Sequence, residues 1–291
     1  MYNAFYFCLM ESGKFLLYND KMILSGKAVL TADNRSFRFG DGFFETLKMT
    51  GGEIALTAYH FERLFSSLQT FQFDVPEYFT AAYLSEQIKK LAAKNGHQKL
   101  VRVRLTIFRS DGSLYDYENN IPNYIIQTWP LNASALAFNI KGLETGIYKK
   151  ARKTCDNFSH IKTNNFLPYA MGALWAKQNK LDDAIILNNY DRVADATIAN
   201  IFLVKDGKIQ TPALGEGCIS GVMRRFLIEC IKKETIPFEE TAISTDTLLE
   251  ANELFITNAV QGIKWISRCE NNHYQSQLAG YLYNRFLKQQ L

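Results

Sequence analysis

Apolar side chains recur along this chain with two periods, and the switching between them predicts a fold of mixed helices and strands. Thr57 is placed to cap a helix in which Phe61, Leu64, Phe65, Leu68 and Phe71 return at helical spacing. Leu84, Ile88 and Leu91 form the stripe of a second helix, and Gly96 is positioned to end it in a left-handed conformation. The period then falls to two. Val101, Val103, Leu105 and Ile107 alternate with Arg102, Arg104 and Thr106, so one strand face is expected in a core and the other against something polar. Tyr124 to Trp129 predicts a further strand that stops at Pro130. Beyond it, Phe166, Ala170, Leu174 and Trp175 predict a helix that tolerates Pro168 in its first turn. Asp183 to Leu187 predicts a strand, Asn188 to Asp191 a turn, and Asn200 to Val204 a strand that returns through Asp206 and Gly207. Ser220 is placed to cap a helix striped by Val222, Met223, Phe226, Leu227, Cys230 and Ile231. A strand over Glu253 to Thr257 and a helix near Tyr281 to Leu287 complete the pattern.

Helices and strands alternate without regular βαβ units, which makes the expected class α+β and disfavours a doubly wound nucleotide-binding fold. Pro, Asn and Ser over residues 130–136 interrupt both periods and mark an interdomain linker. Two domains are expected on either side: a smaller α/β one over residues 1–129 and a larger one over residues 137–291. A length of 291 residues suits that division, and 47% hydrophobic with 21% charged residues suits ordinary globular cores.

The +4 charge comes from 33 basic and 29 acidic residues interleaved along the chain, which gives no basic block for nucleic acid. Five cysteines, Cys8, Cys155, Cys218, Cys230 and Cys269, form no CxxC pair and no zinc-like spacing with the four histidines. A reduced, cytoplasmic setting without a metal is the expectation. The first residues, MYNAFYFCLMESGKF, carry no basic start and no cleavage site, and no apolar run is long enough to span a membrane. Gly215, Gly217 and Gly221 do not make a dinucleotide fingerprint, and neither a P-loop nor a GxSxG motif occurs.

Seven segments in order resemble one family: FGDGFFET (Phe39 to Thr46), HFERL (His60 to Leu64), RLTIFR (Arg104 to Arg109), KTNNFL (Lys162 to Leu167), VADATIANIF (Val193 to Phe202), ISGVMRR (Ile219 to Arg225) and ELFITNA (Glu253 to Ala259). They are similar to the fold-type IV, or class IV, aminotransferases and their lyase relatives. The resemblance implies a two-domain α+β enzyme related to the D-amino-acid and branched-chain aminotransferases. It also implies pyridoxal 5'-phosphate as cofactor, a small amino-acid-like substrate and a homodimer.

By that resemblance Lys162, in the larger domain, forms the Schiff base with the cofactor, although its local sequence alone reads as a solvated loop lysine. Arg63 would hold the cofactor phosphate with its planar fork, together with the helix start at Ser220, Gly221, Val222 and Met223; the plainer alternative is a rim arginine paired with Glu62 or a neighbour. Asp195 stands where the family carries an acid, normally glutamate, beside the pyridine nitrogen. Being one methylene shorter, it requires a closer ring or an intervening water, and it reads equally as a residue flanking a turn. Arg104 occupies the carboxylate-binding place of the branched-chain enzymes and Arg109 that of the D-amino-acid enzymes. Asn258 is expected at both cofactor and substrate, and Ala259 at the substrate.

Three features resemble the 4-amino-4-deoxychorismate lyases: Phe44, Glu45 and Thr46 after GDG, Asn165 three residues after Lys162, and the Asn258–Ala259 pair. They imply cleavage of 4-amino-4-deoxychorismate to 4-aminobenzoate and pyruvate, with Thr46 able to relay a proton. Transamination of a branched-chain or D-amino acid is the alternative, and a cofactor-binding protein without turnover a remote one.

Overall fold

The computed structural model describes residues 12–116 and 118–288. Cys8 and most of the segment expected to lack a targeting signal lie outside them. The described chain forms two compact units: one runs to Ala135 and also includes Ile161–Asn165, and the other comprises Leu136–His160 and the residues from Phe166 onward.

The N-terminal unit contains β1 (Phe15–Tyr18), β2 (Lys21–Leu24), α1 (Arg35–Phe39), β3 (Gly42–Thr50), β4 (Glu53–Ile54), α2 (Thr57–Thr70), α3 (Ala81–Lys94), β5 (Leu100–Phe108) and β6 (Asn123–Pro130). Its six strands form one antiparallel sheet in the order β2-β1-β6-β5-β3-β4. Val101, Val103, Leu105 and Ile107 are buried, as their alternation with polar residues predicts, and they share a core with Leu64 and Leu68 of α2 and Leu84, Ile88 and Leu91 of α3. Gly96, with φ at +71°, follows the end of α3. Thr57 does not cap α2. The cap is Leu56, at φ +54°, and the Thr57 hydroxyl instead donates backwards to the carbonyl of Ile54 at 2.5 Å.

The C-terminal unit contains β7 (Leu143–Lys153), α4 (Leu167–Gln178), β8 (Asp183–Asn188), β9 (Val193–Ala196), β10 (Asn200–Lys205), β11 (Lys208–Pro212), α5 (Val222–Lys233), β12 (Phe238–Thr241), α6 (Thr245–Leu249), β13 (Glu253–Asn258), β14 (Gly262–Cys269), β15 (Asn272–His273) and α7 (Gln277–Leu282), the last prolonged by a wider turn over Tyr283–Leu287. Its sheet runs β12-β11-β10-β13-β14-β7-β8-β9, with β15 paired to β14. The pairs β11–β12, β14–β7 and β7–β8 are parallel, so the sheet is mixed. The β10–β11 hairpin turns through Asp206 and Gly207, both at positive φ, as a two-residue hairpin loop requires.

Two helices differ from the expected stripes. In α4 the buried residues are Tyr169, Gly172 and Ala176, while Ala170 and Leu174 are exposed; the helix is apolar on both sides, so its hydrophobic pattern does not specify the inner face. In α5 the cap is Gly221 rather than Ser220, and no side chain caps it. A Cβ on Gly221 would stand 1.8 Å from Asn200 Oδ1, so only glycine admits that close approach. No described helix is long and apolar enough to cross a membrane, and no described group of His, Cys, Asp or Glu could hold a metal.

Candidate active site

Lys162, expected in the larger domain, belongs to the N-terminal unit through the short segment Ile161–Asn165. Main-chain bonds fix this segment to the start of β3: Phe44 N donates to Lys162 O and Asn164 N to Gly42 O, each at 2.9 Å. The half-buried Lys162 places its Nζ 4.7 Å from the centre of the Phe44 ring.

The next residue of β3 turns to the opposite face. Glu45 is 2% exposed and accepts from Arg63 Nε at 2.7 Å and Arg63 Nη2 at 2.6 Å, while His60 Nδ1 lies 2.8 Å from its Oε2. His60 and Arg63 are one turn apart on α2, so both reach one carboxylate. Burial would raise the Glu45 carboxyl, but the Arg63 guanidinium and His60 hold it down at about 2. Burial lowers the His60 pKa; Glu45 opposes that shift and Arg63 and Lys162 add to it. A neutral imidazole facing a carboxylate carries its proton on Nδ1, which leaves Nε2 as an acceptor, and that atom is buried with no hydrogen-bond partner. Arg63 thus pairs with Glu45 through two nitrogens that fix its plane.

Thr46 and Arg104 face each other across β3 and β5 on the same side of the sheet as Phe44. The Arg104 guanidinium stacks 3.6 Å from the centre of the Phe44 ring, and burial, with Arg102 beside it, lowers its pKa to about 10. Arg109 is placed differently. It is 6% exposed and gives Nη1 to Asp41 at 2.6 Å, Nε to Asn120 at 2.9 Å and Nη2 to the carbonyls of Phe71 and Gln72. Those bonds make it an internal tie rather than an open carboxylate ligand.

In the C-terminal unit Asp195 lies on β9, 1% exposed. Its Oδ2 accepts from Tyr169 OH at 2.8 Å, Ile219 N at 2.9 Å and Lys153 Nζ at 3.3 Å, and its Oδ1 from Asn200 Nδ2 at 2.9 Å. Burial raises the Asp195 carboxyl, and Lys153, the Ile219 amide and the Tyr169 hydroxyl offset part of the rise. Asn200 also donates to Ile219 O at 2.7 Å, tying β10 to the turn before α5. Ser220 N donates to His160 O at 2.9 Å, two residues before Lys162 in sequence. Asn258 accepts from Val260 N and Gln261 N and donates to Gln261 Oε1, so its amide organises the turn that contains Ala259.

The family model described as amino-transferase class IV matches residues 42–269. The chain belongs to that family. Among similar class IV proteins, an aminodeoxychorismate lyase of Vibrio harveyi is 27% identical over 80% of this chain and 85% of its own length. An aminodeoxychorismate lyase of Bacillus subtilis is 27% identical over 89% and 88%. A solved branched-chain aminotransferase of the thermophilic archaeon Thermoproteus uzoniensis, with norvaline, superposes with a TM-score of 0.83 at 22% identity over 94% of this chain and 93% of that one.

Four residues not among the expected site residues contact them: Glu45 binds Arg63, with His60 on the same carboxylate, and Lys153 and Tyr169 bind Asp195. Glu45 was legible in principle, because it interrupts an otherwise apolar buried phase at Phe43, Leu47 and Met49. His60 sits one helical turn from Arg63, within a quoted motif. Lys153 and Tyr169 lie on β7 and α4, far in sequence from Asp195, and carry no local signal.

Each unit carries groups of the kind a phosphorylated aldehyde such as pyridoxal 5'-phosphate needs: in the N-terminal unit Lys162 offers an amine and Arg63 a planar cation, and in the C-terminal unit the side-chain-uncapped start of α5 offers main-chain N–H groups for an anion and Asp195 a buried carboxyl.

Proposed function

We propose that this class IV enzyme holds pyridoxal 5'-phosphate through Lys162 and cleaves 4-amino-4-deoxychorismate to 4-aminobenzoate and pyruvate. The lyase reading is carried by the similarity to two aminodeoxychorismate lyases over most of the chain, and Thr46 and the Asn258–Ala259 pair agree with it. When bound, the cofactor supplies an electron sink for the bond that breaks at the substrate.

The residues divide the remaining work. Lys162 would bond the cofactor and could carry a proton to or from the substrate, and Thr46 lies on the same sheet face as Phe44, whose ring Lys162 Nζ approaches. Arg63, held by Glu45, and the N–H groups from Gly221 to Met223 bind the phosphate. Asp195 provides the fixed anion that favours a protonated ring nitrogen, and Lys153 and Asn200 hold it in place. Arg104 takes a substrate carboxylate, Asn258 shapes the turn that faces cofactor and substrate, and Ala259 contacts the substrate. Helix α4 leaves Leu167, Met171 and Leu174 exposed on its outer face, a stripe suited to a second copy of the chain in a homodimer.

The test is the balance of amino groups. Given 4-amino-4-deoxychorismate and no keto acid, the enzyme should release pyruvate and 4-aminobenzoate in equal amounts over many turnovers. Borohydride treatment should attach the cofactor irreversibly to the peptide containing Lys162. No pyruvate, with amino exchange only when a keto acid is added, would replace cleavage by transamination. A label on another lysine would remove Lys162 from the centre.

A further inference from the structure

Basic residues crowd the end of β7, and the fold treats them unequally: Lys149 and Lys150 are exposed and Arg152 is half-buried, whereas Lys153 is 8% exposed. The ladder to β8 changes register between Tyr148 and Lys153, which leaves Lys153 opposite Asn188. Its Nζ lies 3.3 Å from Asp195 Oδ2 and 5.2 Å from the centre of the Tyr169 ring.

Burying an ammonium costs stability unless a counter-ion offsets it, and a neutral side chain could give a carboxylate a hydrogen bond at less cost. Asp195 has no shortage of neutral donors. The Tyr169 hydroxyl, the Ile219 amide and the Asn200 side chain reach it at 2.8, 2.9 and 2.9 Å, so Lys153 makes the longest of the four bonds. What Lys153 adds is therefore charge. The Tyr169 hydroxyl and the Cys218 thiol are both raised by burial and by Asp195, and both stay neutral. Three donors crowd Oδ2 and one reaches Oδ1, so Oδ1 keeps a lone pair for a further donor.

We infer that Lys153, by pairing with Asp195, weakens the hold of that carboxylate on the proton of the cofactor's ring nitrogen, so that the nitrogen gains and loses its proton in the neutral pH range. The inference rests on the reading of Asp195 as the partner of that nitrogen, and it makes Lys153 a positioning residue that acts through Asp195. A positive charge beside the carboxylate disfavours a second one on the ring. A ring that is neutral part of the time draws electrons less strongly, which suits a cleavage whose departing fragment becomes aromatic.

The experiment loads the enzyme with pyridoxal 5'-phosphate carrying nitrogen-15 in its ring and follows the chemical shift of that nitrogen from about pH 5 to 9. In wild type the signal should pass from protonated to neutral within this range. Lys153→Met, and Lys153→Gln, which keeps a donor without the charge, should each move the midpoint upward by about one unit or more, while Lys153→Arg stays within about half a unit of wild type. A lysine that only braced Asp195 would alter the melting temperature of its variants and leave the midpoint in place. A proton held throughout the range in wild type, or an unmoved midpoint in the methionine and glutamine variants, overturns the inference, and the wild-type titration decides it even where those variants do not fold. Asp195→Asn should leave the nitrogen neutral throughout. A wild-type titration in that variant would sink the reading of Asp195 instead, and pyruvate release plays no part in either outcome.

Discussion

At the scale of single residues, the two arginines expected to hold a carboxylate part company. Arg104 presents its guanidinium on a half-buried sheet face, whereas Arg109 spends its nitrogens on Asp41, Asn120 and two main-chain carbonyls. Removing one partner of a buried pair leaves the other uncompensated. Arg109→Leu should therefore cost about 3 kcal/mol in urea unfolding, with little change in substrate affinity for the folded fraction. A weakened affinity at unchanged stability would return Arg109 to the substrate. The sequence made Lys162 visible only through its neighbours in seven segments, since a lysine in a loop has no distinguishing period of its own. Lys153 and Tyr169 were not legible for a related reason: their partner Asp195 is 42 and 26 positions away, and nothing local marks such a pairing.

At the scale of elements, β5 was readable because strict alternation leaves one solution for its buried face, and α3 because its stripe and terminal glycine agree. Helix α4 was not readable in that way. Tyr169, Gly172 and Ala176 face β7 and β8, yet Leu167, Met171 and Leu174 repeat at helical spacing on the outside. Two apolar faces on one helix need two partners. If the second is another copy of the chain, Met171→Glu with Leu174→Glu should shift the protein to monomer in light scattering while leaving its far-ultraviolet circular dichroism intact. An unchanged mass would remove the outer face of α4 from the interface. The caps of α2 and α5 were misread for another physical reason. A hydroxyl residue near a helix start signals that a start is close, but Leu56 in the left-handed region and Gly221 pressed against Asn200 take those places through backbone geometry.

At the scale of the whole molecule, stability against pH is set by buried carboxyls pulling in opposite directions. Glu45, held at about 2, adds stability that is complete above its ordinary value near 4.5 and is lost as pH falls towards 2. Asp183 is pushed up to about 6 by burial, partly offset by Thr197 and the Ala184 amide, and its Oδ2 has no hydrogen-bond partner. Its contribution is complete below 3.8 and is lost as pH rises through about 6. Because the loss from Asp183 begins at 3.8 and the gain from Glu45 ends at 4.5, these two groups together favour a stability maximum between pH 3.8 and 4.5. Glu45→Gln should cost on the order of 3 kcal/mol at pH 7 and much less near pH 2, whereas Asp183→Asn should stabilise the protein above pH 7 and not at pH 4. Denaturant midpoints at those pH values check both signs, and a flat difference across pH would contradict them. The α+β class and the family were legible across the chain because periodicity and motif order survive at low identity. The excursion of residues 161–165 was not, because five residues with no period give no sign of which sheet they join. That excursion has a consequence for the order of events during synthesis. A nascent chain completed to Ala135 already holds Glu45, His60 and Arg63, but Phe44 N and Gly42 O lack the main-chain partners that Lys162 and Asn164 provide. The N-terminal sheet must remain unfinished at that end while the ribosome makes β7, and Lys162 joins it only after the Glu45, His60 and Arg63 network has been made.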